Sequence, residues 1–396
     1  MTRALEGLRI VDFSRYLPGA YVSWIAGDLG ADIVRIDHPR EMAKQAAMFG
    51  ADSDADAALR RRARPTYTRN KRSLMIDPGH AAAVPVLHRL IAEADILIED
   101  YRPGVLAGMG FGYEAMAALN PRLIYCSVSF AGQTGPHAGK AGHDPAALAL
   151  VGALSRLNGT AVPTLPGLQV ADVLAGSHAT IGTLAALAAR ERTGRGQHVD
   201  VAMSDASMPL LMVTLGRTDD VAGLPPPDGR FHPKGGVWEC ADGAYLCTTD
   251  MEPAYWARFC TTIGYPEFEP LRTRPDSFAM MGETLAALFR TQPRAHWLTL
   301  LRAADTQVMP VLSVGEAMDD PHNRARGMVV DLPLPGGDSV RQIGTPFRLS
   351  DTPAAERRPA GAAGADTRDI LHDIGLDDAA IAALAAQGAF EDNRRK

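Results

Sequence analysis

The stretch from Ala141 to Ser177, AGHDPAALALVGALSRLNGTAVPTLPGLQVADVLAGS, holds residue types suited to acid–base chemistry. His143, inside Gly142-His143-Asp144, can take or give a proton near neutral pH. Asp172 follows a Pro/Gly loop and opens a helix of small residues, whose positive end favours a charged carboxylate. A histidine and an aspartate on separate elements can face each other across a substrate. Proton transfer on both faces of one carbon needs that arrangement; a lone nucleophilic carboxylate needs half of it. Each residue also has a plainer role available: a satisfied core histidine for His143, a helix cap for Asp172, a local cap for Asp144.

The elements that must position these groups begin with a βαβ unit. LRIVDF (Leu8–Phe13) is a short apolar strand, Gly19–Gly30 has helical spacing and a glycine stop, and ADIVRID (Ala31–Asp37) is a second strand, so a parallel sheet is expected. The first turn lacks GxGxxG, so the dinucleotide fingerprint is absent. His38–Asn70 is polar and expected to be irregular, and it leads into a basic cluster (Arg60, Arg61, Arg62, Arg64, Arg69, Lys71, Arg72) whose first three members suit a solvated face. Strands at SLMID (Ser73–Asp77), DILIE (Asp95–Glu99) and RLIYCSV (Arg122–Val128) alternate with helices at Ala81–Ala94 and Tyr113–Leu119, the pattern of a doubly wound sheet. Helices are expected at Pro145–Leu157, Gly176–Arg192 and Asp205–Leu215, with a strand at Gln197–Met203. Ala222–Gly229, AGLPPPDG, has the composition of a linker. Beyond it, a hairpin at Val237–Thr249 and helices near Pro253–Ile263, Ser277–Arg290 and Arg294–Ala304 indicate a small α+β domain, and Thr367–Ala383 a helix pair. The domain boundaries expected are 1–204, a linker to 229, 230–322, and a C-terminal segment from 323 to 396.

At 396 residues, two domains are the prior. A formal net charge of −6 argues against general nucleic-acid binding, for which the basic cluster would otherwise be a candidate. The four cysteines, Cys126, Cys240, Cys247 and Cys260, show no metal-ligand spacing and suit reduced thiols in a cytoplasmic protein. The N-terminus lacks the apolar run of a signal peptide, and no apolar stretch is expected to span a membrane.

The chain resembles the class III CoA transferases and their relatives, the α-methylacyl-CoA racemases. The resemblance is carried in order by LEGLRIVDF, GDLGADIVRID, NKRSLMID, ADILIEDYRPGVLAGMGFG, NPRLIY, GQTGP, AGHD and RTGRGQHVDVAM, and it runs from Leu5 to about Leu384. It implies an α/β fold: a Rossmann-like large domain with a parallel sheet, a small α+β domain, and an interlocked homodimer whose active sites lie between domains of different subunits. It implies an acyl-CoA thioester as substrate, with coenzyme A as part of it and no permanently bound cofactor or metal. It also implies that Lys71, Arg72, Asp100, Tyr101 and Arg102 line the CoA site, together with His38, Met75, Gly142 and Asp144. In the transferases the residue matching Asp172 carries acyl groups as a mixed anhydride. In the racemases the residues matching His143 and Asp172 serve opposite faces of the α-carbon, and a glutamate in a Glu-Pro pair, here Glu252-Pro253, holds the histidine. After the Gly-His-Asp this chain has Pro145-Ala146-Ala147 where racemases carry Ile-Asn-Tyr, and Val173-Leu174-Ala175-Gly176 is closer to transferases. The racemase reading, 1,1-proton transfer at C2 of a 2-methyl-branched acyl-CoA, is favoured, with CoA transfer as the alternative.

Overall fold

Short runs of apolar residues form the strands here because both faces of the sheet are covered, so no polar alternation is needed. Ile10, Val11, Ile33, Val34 and Ile96–Ile98 are all essentially inaccessible to solvent. The computed structural model describes residues 2–50, 54–157, 159, 162–217, 219, 220, 224, 235–354 and 357–390. Ala222–Gly229, the expected linker, lies outside them apart from Leu224. The chain divides into two units, the first formed by residues 1–154, 165–219 and 326–396, the second by 155–164 and 220–325.

In the first unit, β1 (Arg9–Asp12), β2 (Asp32–Asp37), β3 (Lys71–Met75), β4 (Ile96–Glu99), β5 (Ile124–Ser129) and β6 (His198–Ala202) form one parallel sheet in the order β3-β2-β1-β4-β5-β6. This is the doubly wound arrangement, and strand order reverses between β1 and β4, which opens a crevice at their C-terminal ends. Val11, Leu97 and Tyr125 face one core layer, with the Val84–Ala92 helix and the C-terminal helices Thr367–Asp373 and Asp378–Ala386. Ile10, Ile96, Ile98 and Cys126 face the other, with the Leu17–Asp28 and Val170–Thr193 helices. Those two helices pack so tightly that a Cβ on Gly176 would lie 2.5 Å from the Cβ of Tyr21. The second unit has its own antiparallel sheet of β7 (Gly236–Glu239), β8 (Tyr245–Thr248) and β9 (Val308–Val311), over a core that includes Trp238, Trp256, Phe259, Phe289 and Trp297.

Four expectations change. Residues 38–70, taken as irregular, contain helices at Pro39–Phe49 and Ala55–Ala63; Pro39 starts the first, and the Asp54 carboxylate caps the second by accepting the Ala57 N–H at 2.8 Å. The expected Pro145–Leu157 helix is cut into Asp144–Leu150 and Leu154–Leu157, with Gly152 between them at φ +81°. The helix expected over Gly176–Arg192 begins earlier, at Val170, with Asp172 in its opening turn as expected, and runs to Thr193, long and apolar enough by length and composition to cross a bilayer. Its Ala171, Ala175, Ala179 and Ala186 are buried in the sheet-facing core. Arg62, expected on a solvated face, turns inward to the buried Asp37 carboxylate and to Ser73.

Lys71 shows how far the strand register overrides composition. Its ammonium lies under the sheet, 3.0 Å from Asp12 Oδ2, 2.6 Å from Ser23 Oγ and 3.2 Å from the Ala20 carbonyl. Asp12 in turn accepts Ser14 N–H at 2.8 Å and the hydroxyls of Ser14 and Ser23 at 2.5 Å. Burial pushes the Asp12 carboxyl up, but Lys71 and the two serines hold it below the usual range. Removing one member of such a pair strands a buried charge. Lys71→Met is therefore expected to lower the unfolding free energy in urea by about 3–5 kcal/mol; a loss below ~1 kcal/mol would mean that water reaches the pair.

Candidate active site

The site collects at the C-terminal ends of β1, β4 and β5. β1 runs out at Asp12 into the turn Ser14-Arg15-Tyr16, which hands over to the Leu17–Asp28 helix. β4 ends at Glu99, and the next residue, Asp100, catches that turn: its carboxylate accepts the Arg15 N–H at 2.9 Å, the Tyr16 N–H at 2.8 Å and the Arg15 Nε–H at 3.2 Å. The Arg15 guanidinium returns a bond to the Asp100 carbonyl at 2.9 Å and lies 3.8 Å over the Tyr101 ring.

After β5, the chain passes Phe130 and reaches Gly142-His143-Asp144. Only glycine fits at 142, because a Cβ there would sit 2.3 Å from the Phe130 ring. His143 occupies the N-cap position of the Asp144–Leu150 helix without bonding it through its side chain. Its imidazole is exposed, has no hydrogen bond to a described residue, and meets the Tyr16 ring edge-on at 6.2 Å between centroids.

Asp144 ties this segment to the helix that carries Asp172. That helix begins after Gln169, which offers no side-chain cap, so its first-turn N–H groups need outside acceptors. Asp144 Oδ2 accepts the Asp172 N–H at 3.0 Å, and Asp144 Oδ1 is buried with no partner. The plain capping role available to Asp144 is thus filled, though for a helix 28 positions downstream. Asp172 itself sits inside the first turn, not at the cap, and its half-buried carboxylate accepts no hydrogen bond from a described residue. Burial pushes that carboxyl up to about 6; the Asp144 charge adds to the rise, His143 opposes it, and Asp100 adds a little more. His143 and Asp172 therefore share one electrostatic neighbourhood in the first unit.

Glu252 lies in the second unit, at the N-cap of the Pro253–Thr262 helix, exposed, with Oε2 accepting the Gln307 side-chain N–H at 3.1 Å. Its local role as a helix start is evident.

The expected CoA-contacting residues separate into two groups. Lys71 does not offer its ammonium to a phosphate, because Asp12 and Ser23 hold it inside the core. Arg72 is likewise engaged, with Nε and Nη2 on Asp32 at 2.9 and 2.6 Å and Nη1 on Asp373 at 2.6 Å, and these carboxylates push its pKa up. The Asp100 carboxylate is committed to the Arg15–Tyr16 turn, and Tyr101 is buried beneath Arg15. Met75 is half-buried, its main chain bonded to Thr367. Arg102, by contrast, is exposed with no ion pair among the described residues. His38 is buried, with Nε2 3.8 Å from Asp77 and Nδ1 without a partner; burial, opposed by Asp77, holds the ring's pKa below its usual value.

Arg15 and Tyr16 are site-forming residues that residue type alone does not flag. Their signal is positional: they follow β1, at the reversal of strand order. Glu99 is another, a buried carboxyl pushed up to about 7 by burial.

Residues 5–367 match the description CoA-transferase family III. The α-methylacyl-CoA racemase of Mus musculus is 29% identical over an alignment that covers 99% of this chain and 99% of its own. The acetyl-CoA:oxalate CoA-transferase of Acetobacter aceti is 31% identical, over 89% of this chain and 91% of its own. The crystal structure of a CAIB/BAIF family protein from Brucella suis superposes with a TM-score of 0.80 at 26% identity, over 94% of this chain and all of that one.

The raised carboxyl of Asp172 has a consequence for stability. The folded group holds its proton to about pH 6, while an unfolded aspartate releases it near ~3.9. Between those values the native state binds more protons, so stability falls as pH rises through the window, and above it the full cost is present. Asp172→Asn removes that cost. The Tm of the variant is expected to rise relative to wild type between pH 4 and pH 6 and to stay higher at pH 8; a gap independent of pH would contradict the raised carboxyl.

Proposed function

The chain belongs to CoA-transferase family III, and from that premise we propose that it interconverts the two configurations at C2 of a 2-methyl-branched acyl-CoA, with His143 and Asp172 as the two proton carriers. Members of the family are enzymes, either acyl-CoA racemases or CoA-transferases, and relatives of both kinds match this chain over most of its length. The observation that carries the racemase reading is the state of Asp172: a carboxyl with no hydrogen-bond partner among the described residues, raised to about 6, and in electrostatic contact with an exposed histidine. A group titrating near neutrality can both take and return a proton, which a proton carrier must do in each direction.

The α-proton of a thioester is weakly acidic. One carrier removes it, the C–H electron pair moves into a C=C bond, and the thioester carbonyl becomes an enolate oxygen. The other carrier then protonates the opposite face of the carbon, and the carbonyl re-forms. In one direction neutral His143 is the base and protonated Asp172 the acid; in the other, ionised Asp172 is the base and the imidazolium the acid. The Asp144 backbone N–H, at the start of its helix and without a partner among the described residues, is a donor suited to the enolate oxygen. Glu252 is proposed to orient His143, since Gln307 engages only one of its oxygens. Arg102, exposed and unpaired among the described residues, is the proposed cation for a CoA phosphate, in place of Lys71 and Arg72. A homodimer is proposed as the working form. It is supported by apolar side chains left exposed on the first unit: Val173, Ile181 and Leu184 on one helix, and Leu210, Met212 and Val213 beyond β6. His38, Met75, Gly142 and Tyr101 are proposed as neighbours of the bound CoA moiety, in a cytoplasmic enzyme.

The second reading is CoA transfer through an Asp172 acyl anhydride. An unpartnered carboxylate favours it as well, because nucleophilic attack needs an oxygen free of donors. Incubation with branched acyl-CoAs in D2O separates the two. Deuterium is expected at C2, and Asp172 is expected to survive hydroxylamine treatment in the presence of substrate. An Asp172 hydroxamate with no deuterium at C2 would establish the transferase instead.

A further inference from the structure

His143 needs an orientation, and within the first unit no hydrogen bond to a described residue supplies one; the proposed Glu252 contact would hold one ring nitrogen but not fix the plane of the ring. An exposed imidazole at an N-cap samples several rotamers unless something restrains it. Among the described residues, its ring contact is the Tyr16 ring, at an interplanar angle of 83°. Tyr16 is 44% exposed, yet its backbone is among the most firmly held in the site. The buried Asp100 carboxylate takes the N–H groups of both Arg15 and Tyr16. The Arg15 side chain bonds back to Asp100 and stacks on Tyr101, with its guanidinium also 5.2 Å from the Tyr16 ring. Gly19 lets the turn close, since a Cβ there would meet Ser14 at 2.6 Å and Asp100 at 3.3 Å. A solvent-exposed aromatic ring therefore stands on a main chain fixed from beneath.

We propose that Tyr16 is a positioning residue for His143: the turn clamped by Asp100 presents the Tyr16 ring as a fixed wall against which the imidazole rests. This rests on the reading of His143 as a proton carrier. Edge-to-face aromatic contacts favour one ring orientation, and a proton carrier works only when aligned within about 3–3.5 Å of the reacting atom. The phenol hydroxyl is not required for this role, only the ring.

The test compares Tyr16→Leu with Tyr16→Phe. In Tyr16→Leu the His143 ring resonances are expected to lose the ring-current shift imposed by Tyr16 and to show averaging between rotamers, while Tyr16→Phe keeps the wild-type pattern. The kcat for α-proton exchange is expected to fall by about three- to tenfold in Tyr16→Leu, with KM for the acyl-CoA little changed, and to be restored in Tyr16→Phe. His143 resonances unmoved in Tyr16→Leu would overturn the proposal. So would a loss confined to KM. Should the wild-type protein exchange no α-proton, the proton-carrier reading fails on that result alone, and the resonances still decide whether Tyr16 holds the ring.

Discussion

One hydrogen bond joins the segments that carry the two candidate proton carriers, the Asp144 carboxylate accepting the Asp172 backbone N–H at 3.0 Å, above the shared core of Ala147, Leu148, Ala171 and Ala175. Asp172 belongs to the helix that packs against the sheet through its small residues, and His143 to the short segment after β5. Nothing in the sheet itself requires these two segments to approach at that point. Asp144 does, because the first turn of the Val170–Thr193 helix has orphan donors and no cap of its own. The same carboxylate stands next to His143 in sequence, so satisfying the helix brings the histidine along.

That brace has an electrostatic cost that the site turns to use. Acidic groups accumulate at the strand ends: Asp12, Glu99, Asp100, Asp144 and Asp172. Asp12 is neutralised locally by Lys71 and held low, whereas burial pushes Asp100 up even though Arg15 pairs with it. Glu99 and Asp172 have no such cation, and both are pushed toward neutrality, to about 7 and about 6. For Asp172 the Asp144 charge that holds the backbone also discourages ionisation of the side chain. Asp144 thus sets the geometry and adds to a proton affinity that burial chiefly supplies, and a carboxyl balanced near neutral pH is what reversible proton transfer requires.

Much of this was legible in the sequence, for physical reasons that can be named. Strands such as DILIE show themselves because burial on both faces demands unbroken apolar runs. His143 and Asp172 stand out by residue type, and Gly142 by its place beside them, though the reason for glycine, the Phe130 ring, is a packing fact. The basic segment around Lys71 misleads because charge suggests solvent, whereas β3 begins at Lys71 and directs its side chain to Asp12. Arg62 and Arg72 mislead in the same way, since their acidic partners lie far off in sequence. The Pro39–Phe49 and Ala55–Ala63 helices are hidden by their polar, alanine-rich composition, which offers few large apolar side chains. The Asp100 clamp on Arg15 and Tyr16 has a separation of about 85 residues, and no local pattern announces which loops meet at a strand-order reversal.

The central claim is that His143 and Asp172 act on opposite faces of one carbon. Single variants, His143→Gln and Asp172→Asn, each assayed for α-proton exchange with both enantiomers of a 2-methylacyl-CoA in D2O, test it most directly. Each variant is expected to lose racemisation and to keep exchange with one enantiomer only, the two variants keeping opposite ones. Loss of exchange with both enantiomers in both variants, or racemisation surviving in either, would contradict it.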